Sequence, residues 1–343
     1  MSTPAVSVVM AAYNGVGFIR ETIESVLAQT MPDLEIVVVD DGSKDDTVAV
    51  LEGIADPRLR VIRAERNGGP AVARTIAMAH ATGHFVAGLD QDDICAPDRF
   101  KRQLAQLDAQ PELTLLASTI AYFGAGFEGR RDPYPDLVDP DRIDWTMLLA
   151  NPLAWSTVMM RGGAARALVP FERDERRFAE DFDLYHRIRA HGRIGRIAEP
   201  LVRYRMHAAG ASTAYEEGMI ASTAKVLAER YAGIVDDPGG AGALMSRHVG
   251  AGYPPPDAAT LTACGQVLAC LLKARGHLTP AFARASASAH WWRTARSGLR
   301  AGRYGATAML AARPAFAALP EAAPARLARD GAVGAARRML RRA

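Results

Sequence analysis

Three carboxylates follow a short apolar run in Phe85-Val86-Ala87-Gly88-Leu89-Asp90-Gln91-Asp92-Asp93. Phe85, Val86 and Leu89 read as a buried strand, and acids are rarely buried unless they are paired or bound to a metal. Side chains alternate faces along an extended segment, so Asp90 and Asp92 can aim at one spot while Gln91 points away. Two carboxylates converging where a strand leaves a sheet suit a hard divalent cation such as Mg2+ or Mn2+. Taken alone, D-x-D fits an acidic turn capping the next helix equally well. Two further acid pairs stand beside it: Asp40-Asp41 closes another apolar run, and Glu180-Asp181 opens a segment with helical spacing.

The elements that would carry these acids follow from hydrophobic periodicity. Val6 to Met10 is a β-rich run ended by the Tyr13-Asn14-Gly15 turn, and Ile19, Ile23, Val26 and Leu27 then fall on one helical face. Glu35 to Val39 is continuously apolar after its first residue, which predicts burial on both faces as in a parallel sheet. Asp45 or Asp46 can cap the helix carrying Val50, Leu51 and Ile54. Arg60-Val61-Ile62 is a third strand, and a helix through Val72, Ala73, Ile76 and Ala77 precedes the strand Phe85 to Leu89. The first ninety residues therefore alternate β and α, the pattern of a doubly wound α/β sheet with right-handed crossovers. Ligands in such sheets bind beyond the carboxyl ends of the strands, where Asp40 and Asp90 both fall. Further on, a helix through Phe100, Leu104 and Leu107 precedes strands predicted at Leu113 to Thr119 and Trp155 to Met160. A helix at Phe178 to Ala190 and a β segment at Ile194 to Arg205 follow. Beyond about Tyr215 the chain turns to Ala-, Leu- and Arg-rich helices, with Asp236 to Gly242 as a hinge loop. Domains at residues 1–214 and 215–343 are expected.

The 343 residues carry a net charge of only +3, but eleven arginines stand against Glu321 and Asp330 from Ala289 onward. A basic tail on an acidic domain suits an anionic surface, either membrane or nucleic acid. His290-Trp291-Trp292-Arg293, with Arg296, Arg300 and Arg303, has the aromatic and basic composition of an interfacial membrane helix. A solvated helical extension packed on the catalytic domain or in a homodimer is the competing reading. Three cysteines without metal-finger or disulfide spacing fit a reducing cytosol. With no signal-peptide pattern and no run of roughly 20 apolar residues, a cytoplasmic chain is expected, peripheral at the inner membrane face where the tail docks.

In order and spacing, several of these segments resemble family 2 inverting glycosyltransferases of the bacterial type. The resemblance rests on Val6 to Asn14, Ile36 to Ser43, and Asn67-x-Gly69-x-x-x-Ala73-Arg74. Leu89 to Asp93, Glu180-Asp181-x-x-Leu184 and Tyr204-Arg205-x-His207 complete it. It covers residues 5 to 210 and implies a GT-A fold, a doubly wound, mostly parallel sheet flanked by helices, here with a C-terminal helical extension. It implies a nucleotide-diphospho-sugar donor, a UDP-sugar above all, and Mg2+ or Mn2+ as cofactor. The acceptor would be a glycan or lipid-linked hydroxyl in cell-surface polysaccharide or glycolipid synthesis, with no nucleic-acid partner.

By the same resemblance Asp92 is the principal metal carboxylate, Asp90 contacts the metal or ribose, and Asp93 orders the loop. Asp40 accepts the base N–H, Ala11, Ala12 and Tyr13 flank the nucleotide, and Asp41 joins it or serves a turn. Arg74 meets the donor phosphates or pairs with an acid, and Thr75 stands where the family often has Asn. His207 reaches the metal or diphosphate, and Arg203 and Arg205 neutralise phosphate. Asp181 is the general base, Glu180 positions the acceptor, and Trp155 offers a platform for an acceptor sugar or fills the core. A catalytically inactive nucleotide-sugar-binding protein would keep much of this pattern. A dinucleotide oxidoreductase would need G-x-G-x-x-G after the first strand, which Tyr13 to Gly17 does not supply.

Overall fold

Four parallel strands form where the sequence is most continuously apolar, because burial on both faces leaves no place for alternating polar residues. They are β1 (Val6–Ala12), β2 (Leu34–Asp40), β3 (Leu59–Arg63) and β4 (Phe85–Gly88), alternating with helices α1 (Ile19–Leu27), α2 (Thr47–Glu52) and α3 (Pro70–His80). The computed structural model describes residues 3–124, 126–127, 129–207, 215–275, 281–319 and 323–340. The register pairs Ala12 with Asp40 and Val9 with Gly88, so three strands present their carboxyl ends at one edge of the sheet. Beyond them lie β5 (Ile94–Cys95), α4 (Arg99–Ala109), β6 (Leu113–Phe123), α5 (Pro140–Thr146), β7 (Met159–Arg161), α6 (Gly162–Ala167), α7 (Glu180–Ile188) and β8 (Arg193–Arg205). The eight strands form one mixed sheet in the order β3-β2-β1-β4-β7-β6-β8-β5.

Two local expectations are corrected. Trp155 to Met160 is not one strand: Trp155–Thr157 is a tight helical turn, and extended pairing begins at Met159. The predicted hinge at Asp236 to Gly242 is the start of a helix, Pro238–Leu244, with Asp237 accepting the Gly240 N–H at 2.9 Å. A proline at the first helical position and a capping acid before it outweigh the glycines that suggested a loop.

The chain divides into two compact units, Met1–Asp144 with Asn151–Glu216, and Trp145–Ala150 with Glu217–Ala343. The core of the first gathers Val8, Met10, Ile36, Val38, Leu89, Phe100 and Met159. Within it, Arg99 is fully buried, donating to the carbonyls of Gly88 and Val158 at 3.0 and 3.1 Å and to Gln103 Oε1 at 3.0 Å. It fixes the end of β4 two residues before Asp90. Arg99→Met leaves the Gly88 carbonyl buried without this donor and is expected to cost about 2–3 kcal/mol in denaturant unfolding.

The second unit is helical. Trp291 and Trp292 are buried in it, with ring centroids 4.9 Å apart, and Trp292 Nε1 donates to the Ala318 carbonyl at 2.7 Å. Arg296 pairs with the buried Asp330 at 2.7 Å. The aromatic half of the expected interfacial helix is therefore core, with the Trp292 N–H satisfied by a carbonyl and the Trp291 N–H without a partner among the described residues. Among the described residues no helix is long and apolar enough to cross a membrane.

Candidate active site

The Asp90 to Asp93 segment is a turn and not an extended strand end, since β4 stops at Gly88 and the Asp93 N–H reaches the Asp90 carbonyl at 3.4 Å. Alternation therefore does not orient these acids, and each is held by its own partners. Asp90 Oδ1 accepts from Arg74 Nη2 at 2.9 Å, and its backbone N–H donates to Ser156 Oγ at 3.0 Å. Gln91 bonds both backbone groups of Tyr13, at 2.9 and 3.0 Å, and so ties the turn to the end of β1. The antiparallel pairing of Ile94 with Arg203 then brings the far end of β8 alongside. In that register Asp93 Oδ1 accepts the Arg205 N–H at 2.8 Å, and His207 Nε2 lies 2.8 Å from Asp92 Oδ2. Burial first, and then Asp90, raises the Asp92 carboxyl above its ordinary range, while His207 draws it down.

At the second strand end, Asp40 is buried, with Oδ2 accepting the Ser43 N–H at 3.1 Å and Oδ1 without a hydrogen-bond partner among the described residues. Of the two roles expected for Asp41, the turn is the one seen. Its two oxygens accept the Gly68 and Gly69 N–H groups, each at 2.8 Å, so the carboxylate is spent on folding the loop before α3 rather than on a nucleotide. Ala11 and Ala12 end β1, with the Ala12 carbonyl accepting the Asp41 N–H at 2.8 Å, and Tyr13 is exposed just beyond.

Arg74 is the hub. It is buried on α3 and pairs with Asp90 at 2.9 Å, Glu172 at 3.3 Å and Glu180 at 3.7 Å. Burial alone would lower its pKa, but Glu172, Asp90, Glu180 and Asp181 hold it above its ordinary value. Of the two roles expected for Arg74, pairing with acids is therefore the one seen. Of the two readings of Trp155 the core one is seen: it is buried, with the Arg74 guanidinium 4.6 Å from its ring centroid, so it supports that cation and offers no open face to a sugar. Arg205 likewise is engaged, donating to the Asp92 carbonyl at 2.8 Å and Glu21 at 2.6 Å, and it scaffolds the turn instead of facing phosphate. The Arg203 guanidinium lies 4.4 Å from the Phe123 ring centroid.

Asp181 sits in the first turn of α7, accepting from Asn151 Nδ2 at 3.1 Å and from the Phe182 N–H at 2.7 Å. Burial, and next the adjacent Glu180, push its carboxyl up to about 7. Glu180 is buried beside it. Sequence reasoning missed Glu172, Asn151 and Ser156. Glu172 is 3% exposed, and burial, opposed by Arg74 and reinforced by Glu180 and Asp181, pushes its carboxyl up to about 8. No spacing announces it, because the cis Val169-Pro170 bond and the loop after it lie in no periodic element.

The turn that delivers α7 is unusual. The Ala179 N–H bonds the Arg176 carbonyl at 2.8 Å, with Arg177 at φ −44°, ψ 130° and Phe178 at φ 70°. These are the angles of a type II turn, whose third position ordinarily needs glycine. Phe178 there costs about 1–3 kcal/mol of backbone strain.

The mixed α/β sheet that carries these acids at its carboxyl edge has the GT-A fold of glycosyltransferases of known structure. S. aureus TarS 1–349 in complex with UDP-GlcNAc has this fold, aligning over 85% of this chain and 90% of its own at TM-score 0.56 and 20% identity. The profile of glycosyl transferase family 2 matches residues 7–165. EpsE of Bacillus subtilis, whose name marks it as a glycosyltransferase, is 31% identical over 191 residues, 54% of this chain and 67% of EpsE. The succinoglycan biosynthesis protein ExoO of Rhizobium meliloti is 46% identical over 106 residues, 31% of this chain and 30% of ExoO. The chain belongs to glycosyl transferase family 2.

Proposed function

We propose that this enzyme moves a sugar from a nucleotide-diphospho-sugar, a UDP-sugar first among them, to a hydroxyl of a glycan or lipid-linked acceptor in cell-surface polysaccharide synthesis. Transfer proceeds with inversion and with Mg2+ or Mn2+. The observation that carries this reading is Asp181, an acid poised near neutrality and held by two donors at the head of α7. It takes the proton of the acceptor hydroxyl, whose oxygen forms the new bond to the anomeric carbon as the bond to the nucleoside diphosphate breaks on the opposite face. A base works best with its pKa near the operating pH, and burial beside Glu180 achieves that here. Arg74 stays bound to its acids and fixes the spacing between the Asp90 turn and α7. Asp40 receives the base N–H at its open oxygen.

The donor set fits a divalent cation. Asp92 and His207 already meet, Asp90 stands next to Asp92, and adjacent carboxylates favour a positive ion between them. Among the described residues no three His, Cys, Asp or Glu side chains close a cage, so two protein ligands and the donor's own phosphate oxygens would complete the shell. When bound, the cation would neutralise charge on the leaving diphosphate.

A panel of nucleotide sugars tested for Mn2+-dependent thermal stabilisation and for donor turnover checks this reading. UDP at about 100 times its Kd is expected to stabilise by about 2.7 kcal/mol with Mn2+, and Asp92→Asn should remove the metal dependence. If no nucleotide sugar stabilises or turns over, the assignment is wrong. Because Asp181 acts ionised, kcat/KM for the acceptor should fall tenfold per unit below about pH 7 and level off above it.

A further inference from the structure

We infer that Tyr215, backed by Phe178, is the platform on which a pyranose ring of the acceptor stacks beside Asp181. This rests on the assignment of Asp181 as the base that meets the acceptor. Phe178 and Tyr215 lie nearly parallel, with ring centroids 4.5 Å apart and an interplanar angle of 14°. Tyr215 is 49% exposed, so the stack keeps an aromatic surface open to solvent. The Arg177 guanidinium lies 5.1 Å from the Phe178 centroid, and Arg177 and Glu216 are themselves exposed.

Phe178 explains why the stack stands where it does. It occupies the position of the type II turn at which glycine would be relaxed, three residues before Asp181. A glycine would make the same turn with less strain, so what Phe178 adds is its ring. Strain of this kind persists where the surroundings over-determine it, and it collects at ligand-holding sites. The turn is one piece with the head of α7, so Phe178, on which Tyr215 stacks, and the base are placed by the same backbone.

The chemistry selects the occupant. A pyranose has one face of C–H groups, which the electron-rich face of an aromatic ring attracts, and an edge of hydroxyls. The exposed Tyr215 ring serves the first, and the Arg177 guanidinium over Phe178 and the exposed Glu216, next to Tyr215 in the chain, offer polar groups for the second. A lipid chain would need a continuous apolar surface, and charged neighbours interrupt one here. Trp155, the aromatic residue that sequence reasoning put forward for this task, is buried under Arg74 and cannot perform it.

The test uses methyl β-D-glucopyranoside and methyl β-D-galactopyranoside as probes in saturation-transfer NMR, on the full chain with and without UDP and Mn2+. The protons of one pyranose face should receive saturation in the wild-type protein. Tyr215→Ala should weaken that signal at least fivefold, Tyr215→Trp should retain it, and UDP–Mn2+ binding should stay within twofold of wild type in both. Phe178→Gly separates positioning from folding: glycoside binding weakens while Tm rises by about 2 °C, as the strain is released. A purely structural ring would move both in the same direction. Undiminished signal in Tyr215→Ala, or no glycoside contact in wild-type protein that binds UDP–Mn2+, overturns the platform. Absence of UDP binding and donor turnover would count instead against the glycosyl-transfer reading, which the glycoside signal does not measure.

Discussion

Asp181→Asn is expected to lower transfer at least a thousandfold while UDP–Mn2+ binds as in wild type. General-base removal commonly costs two to four orders of magnitude, and asparagine cannot take a proton from the acceptor. The substitution keeps shape and retains an oxygen for the Phe182 N–H, losing at most the 3.1 Å contact from Asn151. Stability gives the control. The folded carboxyl titrates at about 7 against an ordinary 3.8, so it holds its proton more tightly folded than unfolded. Wild-type stability from this group is therefore greatest at low pH and is lost as pH rises from about 4 to 7. Asparagine escapes that loss. Asp181→Asn should be more stable than wild type at pH 8, by about 1–2 kcal/mol, with the gain vanishing towards pH 4. An inactive variant that melts later has not misfolded. Activity within tenfold of wild type would remove Asp181 from the base role.

What could be read from the sequence was whatever is periodic or local. Continuous apolar runs such as Ile36 to Val39 specify parallel strands, because only burial on both faces tolerates them. The Asp40 and Asp90 clusters were legible as strand-end acids for the same reason. The partners of those acids were not, since they are set by tertiary register. Arg205 and Arg74 carry charges that look available in a string of residues, yet pairing β5 with β8 commits one to the Asp92 turn. Folding α3 against the sheet commits the other to three acids. Glu172 and Asn151 act from loops with no periodicity, and Phe178 from a turn whose usual residue is glycine, so propensity reasoning passes over all three. Trp291 and Trp292 show the converse. Composition left an interfacial helix and a packed extension both open, and burial, with one N–H satisfied by Ala318, makes the two rings core.

Arg74→Met should be the most destabilising single change in the site, about 3–5 kcal/mol at pH 8, because it strips the counter-charge from several acids at once. Methionine fills much of the volume over Trp155, so the loss is chiefly electrostatic. The buried Glu172 and Glu180 and the partly exposed Asp90 then lose the cation they share. Glu172 is pushed up to about 8 even with Arg74 present, and without it the carboxyl must rise further. The sign follows. An acid whose folded pKa lies above its unfolded value is at no disadvantage when protonated in both states, and it destabilises as pH climbs through that interval. The deficit of Arg74→Met should therefore be largest above pH 8 and shrink towards pH 5, whereas simple loss of packing would give a deficit independent of pH. Adding Glu172→Gln removes the most buried of the stranded acids without changing shape, and it should recover about 1–2 kcal/mol of the deficit at pH 8. A double-mutant cycle in urea measures this coupling. A coupling near zero, or a deficit independent of pH, would mean that Arg74 serves the site through its packing on Trp155 and not through the acids it joins.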